Sequence, residues 1–126
     1  MIELTRENIV ALLADAGLLG LLTSVDWDDG DYQAAKEQWI YENHDEPCWE
    51  DVAAQLLLNG GSIRLEYDNR PKWHELTYAQ LCNGYEKYLR HRKLPSDQVL
   101  EDIEFMDSIE ADMIVQFGVF GEYRYG

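Results

Sequence analysis

The clearest alternation of apolar and polar residues runs through residues 48–93 and predicts a helix, a hairpin and a second helix. The first helix has one apolar face, formed by Trp49, Val52, Ala53, Leu56 and Leu57. Asn59-Gly60-Gly61 ends it, because glycine readily adopts the left-handed conformation that terminates helices. Ile63, Leu65 and Tyr67 then alternate with charged residues, which is typical of a half-buried strand. A return strand over residues 72–76 completes the hairpin.

Further helices are predicted on both sides of this unit. Thr77 begins the helix that follows the hairpin, and Thr5 begins one that ends near Gly17. Other helices are expected over about 32–43 and 97–106, and a last one begins at Asp107 or Ser108 and ends at Gly118 or Gly121. Residues 18–22 are interpreted as a buried turn, residues 26–31 as an acidic turn, and the tail 122–126 as a candidate edge strand. The prediction is a helix-rich α+β fold in which residues 1–126 form a single domain, with a small antiparallel β-hairpin packed between helices.

Charge is distributed unevenly along the chain, whose formal net charge is −15 over 126 residues. Residues 26–51 carry ten acids against Lys36 alone, and residues 97–126 carry eight acids against Arg124. Residues 64–93 hold seven of the ten bases against four acids. A chain this acidic repels phosphate backbones and anionic lipid surfaces, so neither free nucleic acid nor a membrane is an expected partner. Basic proteins remain candidate partners.

The C-terminal acidic run places seven carboxylates within sixteen residues and is the leading candidate for a protein-binding face. Its members are Asp97, Glu101, Asp102, Glu104, Asp107, Glu110 and Asp112. Such a run is usually a solvated helix surface. The alternative interpretation is a row of charges that imitates a phosphate backbone and is recognised by a nucleic-acid-binding protein.

A second candidate site combines cations with aromatic rings on or beside the hairpin. Its residues are Arg64, Arg70, Lys72, Trp73 and His74. Guanidinium groups and rings can hold an anionic, base-containing ligand by charge and stacking. The alternative is that these bases pair with nearby acids, within one molecule or between two copies, so that self-association into a homo-oligomer is also open.

Metal and catalytic signatures are weak. Asp26, Asp28 and Glu37 match three positions of a calcium-binding EF-hand loop, but Gly30 occupies a ligand position and Asp31 the position that requires glycine. These residues are therefore interpreted as an acidic turn that caps the next helix. No zinc-ligand spacing, nucleophile elbow or phosphate-binding glycine loop occurs. The sequence thus predicts no cofactor, no metal and no enzymatic activity.

Three segments resemble small accessory proteins, of unassigned activity, from phages and integrative elements of gut bacteria. They are 107-DSIEADMIVQFGVFGEYRYG-126, 57-LLNGGSI-63 and 76-LTYAQLCNG-84. The resemblance covers residues 48–126 and carries no catalytic residues over. It implies a genomic setting in which small proteins often inhibit host defence proteins.

The sequence therefore favours a non-enzymatic acidic protein that binds and inhibits a basic host protein, such as a nucleic-acid-binding defence factor. Sequestration of a small anionic ligand and self-assembly are the alternatives. Cytoplasmic localisation is expected, because the first residues lack a signal-peptide pattern and two cysteines on apolar helix positions suit reduced core thiols.

Overall fold

A computed structural model describes residues 2–19, 21–93 and 107–125. Within these residues, five α-helices and three β-strands follow one another. In order they are α1 (Arg6–Ala16), a 3-10 turn (Gly17–Leu19), β1 (Leu22–Trp27), α2 (Asp29–Asn43), α3 (Trp49–Leu58), β2 (Ser62–Tyr67), β3 (His74–Thr77), α4 (Tyr78–His91) and α5 (Ser108–Phe120). The predicted helix-rich α+β fold is confirmed. The helix expected over 97–106 lies outside the described residues.

The helix-start signals in the sequence are confirmed. The Thr5 and Thr77 side chains each accept a hydrogen bond from the backbone N–H three residues later, and each forms part of a reciprocal capping box. The carboxylate of Asp28 caps α2 by accepting from the Asp31 N–H at 3.0 Å. The acidic turn that superficially matched a calcium loop is thus a helix cap preceded by a strand.

The sheet has three antiparallel strands in the order β1-β2-β3, so the predicted hairpin is joined by a strand that the sequence analysis missed. β1 pairs with β2 through Val25 opposite Leu65 and Asp26 opposite Arg64. A bulge between Leu22 and Ser24 shifts the register and interrupts the alternation that would have indicated a strand. The tail residues 122–125 are not a strand, so the prediction of an edge strand there is wrong.

One face of the sheet carries the core and the other faces solvent. Ile63, Leu65 and Tyr67 are buried beneath the helices, whereas Arg64 lies on the opposite, exposed face. The six consecutive residues 52–57 of α3 are all buried, because α1, α2 and β2 surround that helix.

The helices α4 and α5 cross closely at two glycines. A Cβ on Gly84 would lie 2.6 Å from the carbonyl oxygen of Ile114, and one on Gly118 would lie 2.9 Å from that of Gln80. The helix α5 continues past Gly118 and ends at Gly121, whose φ of 75° is the left-handed cap conformation. Gly118 therefore lies inside α5 because the close crossing with α4 leaves no room for a side chain.

Candidate protein-binding surface

The acidic run predicted near the C-terminus is not a continuous surface among the described residues. Four of its members, Asp97, Glu101, Asp102 and Glu104, lie outside the described residues. Asp107 is exposed and caps α5 by accepting from the Glu110 N–H at 2.8 Å. The Glu110 carboxylate accepts hydrogen bonds from the Tyr88 hydroxyl at 2.8 Å and from the Arg92 guanidinium at 2.6 Å. Its charge is therefore largely balanced within the molecule.

Asp112 is fully buried, so its predicted place on an exposed acidic face is wrong. Its Oδ2 accepts a 2.7 Å hydrogen bond from the buried amide of Gln116, while its Oδ1 has no hydrogen-bond partner among the described residues. Burial raises the pKa of Asp112 to about 6, and the hydrogen bond from Gln116 opposes that rise. A carboxylate in this position cannot contact a partner protein.

The C-terminal tail explains why two polar residues of α5 are buried. The Gln116 side-chain oxygen accepts from the N–H groups of Arg124 at 3.0 Å and Tyr125 at 2.7 Å, and its Nε2 also donates to the Tyr125 carbonyl at 2.7 Å. The tail thus folds back over α5, and the Tyr125 ring stacks on Tyr67 with centroids 5.7 Å apart. Asp112 and Gln116 are four residues apart, which suits a pair on one helix face, and the tail buries them together with the packing of α1 and α4 on α5. Ile109, on the first turn of the same helix, is 55% exposed.

A different acidic surface lies on α2 and its flanking residues. We call this segment, residues 26–51, the acidic block. Seven of its ten acids are exposed and the other three are half-buried, and Ala35 is the one buried residue of α2. Three of the acids form ion pairs, Asp26 with Arg64 at 2.8 Å, Glu42 with Arg6 at 2.9 Å and Glu46 with Lys36 at 3.5 Å. The structure shows no ion pair for the other seven among the described residues. The acidic block is thus the larger uncompensated negative surface in the described part of the chain.

The predicted basic and aromatic site is divided between the two faces of the sheet. Arg64 pairs with Asp26 across β1 and lies opposite Glu75 on β3, on the exposed face. His74 lies opposite Leu65, and opposing residues share a face, so His74 points to the other side of the sheet. Arg64 is therefore neutralised locally and does not join the remaining four residues.

Three of those four residues do lie near the C-terminal tail. The Arg70 guanidinium is 5.6 Å from the Tyr125 ring centroid and forms a long ion pair, 3.7 Å, with Asp68. The His74 ring packs edge-on against Phe120 with centroids 4.7 Å apart. Burial lowers the pKa of His74, and the charges of Lys72 and Arg124 lower it further. Trp73 is 45% exposed beside them. A small positive cluster therefore exists there without Arg64.

Three aromatic residues of the acidic block, one each from β1, α2 and α3, form a stack that the sequence did not predict. The rings of Trp27 and Tyr32 stack with centroids 4.3 Å apart and planes within 11°, and the Trp27 and Trp49 rings follow at 6.3 Å and 22°. The signal that could have revealed it was the alternation of Val25 and Trp27 with polar residues, which indicates a strand delivering Trp27 to the core side.

A cleft of about 780 Å³ with mainly apolar walls separates the N-terminal residues from the start of α4. Cys82 lines it, and burial raises the pKa of this thiol, so it is a poor nucleophile at neutral pH. Among the described residues, no group of three or more His, Cys, Asp or Glu side chains is arranged to hold a metal ion. Nor does any helix in the described ranges combine the length and apolar character needed to cross a bilayer.

Comparison with known proteins assigns no family: no family model, curated protein or solved structure matches this chain. The resemblance to accessory proteins of mobile elements therefore stays a prediction.

Proposed function

We propose that this protein is a non-enzymatic accessory protein that binds a basic partner protein through the acidic block. The observation that carries the proposal is that all ten acids of the block retain contact with solvent, while only three have a cationic partner among the described residues. Such a surface attracts basic proteins over distances of about 8 Å, the screening length at physiological salt. The proposed contact surface is thus centred on α2 and differs from the C-terminal acidic run that the sequence predicted.

A nucleic-acid-binding protein is the partner class that this surface fits best. α2 has 15 residues, so at a rise of about 1.5 Å per residue it holds its four acids on a rigid scaffold some 22 Å long. This density of negative charge is lower than the one charge per about 3.4 Å of a nucleic-acid strand, so a protein that binds phosphates with lysine and arginine would also contact the flanking acids of the block. The resemblance to accessory proteins of phages and integrative elements favours a host defence protein as the target, with inhibition as the consequence of occupying its nucleic-acid site.

A pull-down from a bacterial lysate, followed by a salt titration of the retained protein, tests the proposal. Retention is expected to fall steeply as salt rises, because screening weakens every charge pair in the contact. The variant Asp29→Asn, Asp31→Asn, Glu37→Gln should lose retention, since it removes three exposed acids of the block. The matched control Glu3→Gln, Glu7→Gln, Glu75→Gln removes three exposed acids elsewhere and should retain the partner. Equal retention by both variants, or binding indifferent to salt, would contradict the proposal.

A small anionic ligand is the second candidate, and the cluster of Arg70, Lys72 and His74 beside the tail favours it. The Arg124 guanidinium lies 4.4 Å from the Phe120 centroid, so cations and rings are already close together there. Calorimetry against a panel of nucleotides is the test. Saturable heat that is lost on Arg70→Ala supports this function, and Arg64→Ala is the matched control because its guanidinium is on the other face.

A further inference from the structure

The strand β1 forms one edge of the sheet. In the strand order β1-β2-β3 its hydrogen-bonding partner is β2, and no strand in the described residues pairs with its other side. An edge strand presents alternate N–H and C=O groups outward, which makes it a template for another extended chain. β1 is six residues long, enough to align a short segment in register.

A groove of about 420 Å³ runs beside this strand. Residues 23–25 of β1 form one wall, and Leu18, Trp27 and Trp49 contribute apolar surface to the others. Leu18 is 74% exposed and adds apolar surface at the rim of the groove. The groove therefore combines an open strand edge with an aromatic and aliphatic lining.

The aromatic wall of the groove is preorganised. Tyr32 stacks on Trp27, and Trp27 in turn contacts Trp49, so the indoles are held in place by their neighbours. Rings fixed in this way contact a flat guanidinium or an aliphatic stem without a further loss of side-chain freedom.

One carboxylate, that of Glu50, lines the same groove, and the exposed Asp28 follows Trp27 in the chain. The only base of the acidic block, Lys36, is 3.5 Å from Glu46. An occupant of this groove therefore meets indole rings and a carboxylate together, the combination that binds arginine by cation–π contact and ion pairing.

We propose that an extended, arginine-containing segment of a partner protein adds to β1 as a fourth strand and places a cationic side chain between Trp49 and Glu50. The proposal rests on the function proposed above and specifies how the partner is held. Backbone hydrogen bonds to β1 supply register, and the groove supplies side-chain selectivity. The acidic block attracts the segment before it docks.

The direct test uses the whole protein and a fluorescein-labelled synthetic peptide in which arginine alternates with valine. Fluorescence anisotropy is expected to show saturable binding. The same peptide carrying N-methyl groups on alternate residues keeps its charge but cannot donate hydrogen bonds to an edge strand, and should bind roughly tenfold more weakly or worse. This comparison needs no change in the protein, so loss of folding cannot imitate the result.

Protein variants locate the site. Trp49→Ala and Glu50→Lys should each weaken peptide binding, while Trp73→Ala removes an exposed indole beside β3, on the far edge of the sheet, and should leave binding unchanged. Circular dichroism checks that each variant is folded. Equal affinity for the methylated and unmethylated peptides, or equal effects of Trp49→Ala and Trp73→Ala, would overturn strand addition.

The outcomes separate this proposal from the function on which it rests. If the triple variant of the acidic block loses the partner while Trp49→Ala and N-methylation have no effect, the acidic surface binds the partner and strand addition is refuted. If neither set of changes matters, both proposals fail. If light scattering shows a dimer that Trp49→Ala dissociates, the groove is occupied by a second copy of this chain, and the proposed occupant is wrong.

Discussion

Replacing Asp112 by asparagine isolates the energetic cost of one buried carboxylate. The side chain is fully buried and one of its oxygens has no hydrogen-bond partner among the described residues. Asparagine has nearly the same shape, and its side-chain oxygen can still accept the hydrogen bond from Gln116. The substitution therefore removes the charge while preserving the contacts that hold α5 to the tail.

The sign of the pH dependence follows from the direction of the pKa shift. The pKa of Asp112 rises from 3.8 to about 6 on folding, so between these values the folded protein binds a proton that the unfolded chain has released. The resulting stabilisation is complete below the unfolded pKa and is lost as pH rises through the folded pKa. At about 1.36 kcal/mol per pKa unit, the whole effect is about 3 kcal/mol, of which roughly 1.4 kcal/mol lies between pH 5 and pH 8.

Urea denaturation of the wild type and of Asp112→Asn at about pH 5 and about pH 8 measures this effect. The variant should gain stability relative to the wild type by roughly 1.4 kcal/mol between the two pH values, because only the wild type must keep a buried charge at the higher pH. Asp107→Asn makes the same chemical change at the exposed N-cap of the same helix and serves as the control. If the free energies of unfolding of the wild type and of Asp112→Asn differ by the same amount at both pH values, Asp112 is not a desolvated acid with a raised pKa.

Three further predictions concern packing, capping and thiol reactivity. Gly84→Ala should destabilise the fold by about 1–3 kcal/mol in thermal or urea denaturation, because its Cβ meets the backbone of α5, whereas the control Gly17→Ala has open space and should change little. Thr77→Ala should cost about 1 kcal/mol, since it removes the cap of α4, and a smaller loss in urea denaturation than about 0.3 kcal/mol would contradict the role of that cap. In the folded protein a chromogenic thiol reagent should modify the exposed Cys48 quickly and the buried Cys82 only after denaturant is added, and rapid labelling of both would contradict the burial of Cys82.

Local signals in the sequence determined most of the helix and strand positions. The caps at Thr5 and Thr77, the glycine stop after α3 and the alternation from Ile63 to Tyr67 each depend on residues close together in the chain. Such signals act through backbone conformation and short-range hydrogen bonds, so they can be recognised without knowledge of the tertiary fold. The fold class followed from them.

The third strand was missed because its evidence is not local. β1 contains polar residues and a bulge, and its stability comes from pairing with β2, some forty residues later in the chain. The local signal is limited to the alternation of Val25 and Trp27 with polar residues, so the cross-strand partners of β1 decide its structure. Identifying the edge strand and the groove beside Trp27 and Trp49 therefore required the coordinates.

Charge and periodicity also proved insufficient to say which acids face solvent. The acidic run that contains Asp112 has the sequence of an exposed helix face, yet the tail folds over α5 and Asp112 is buried. The acids of α2 remain exposed, because that helix packs on the rest of the protein through a narrow strip around Ala35. The sequence by itself determined the charge and the helices that carry it. Only the tertiary structure decided which carboxylates are solvated, because burial depends on what packs against a helix face, and here the covering segments, the tail on α5 and α3 on α2, come from other parts of the chain.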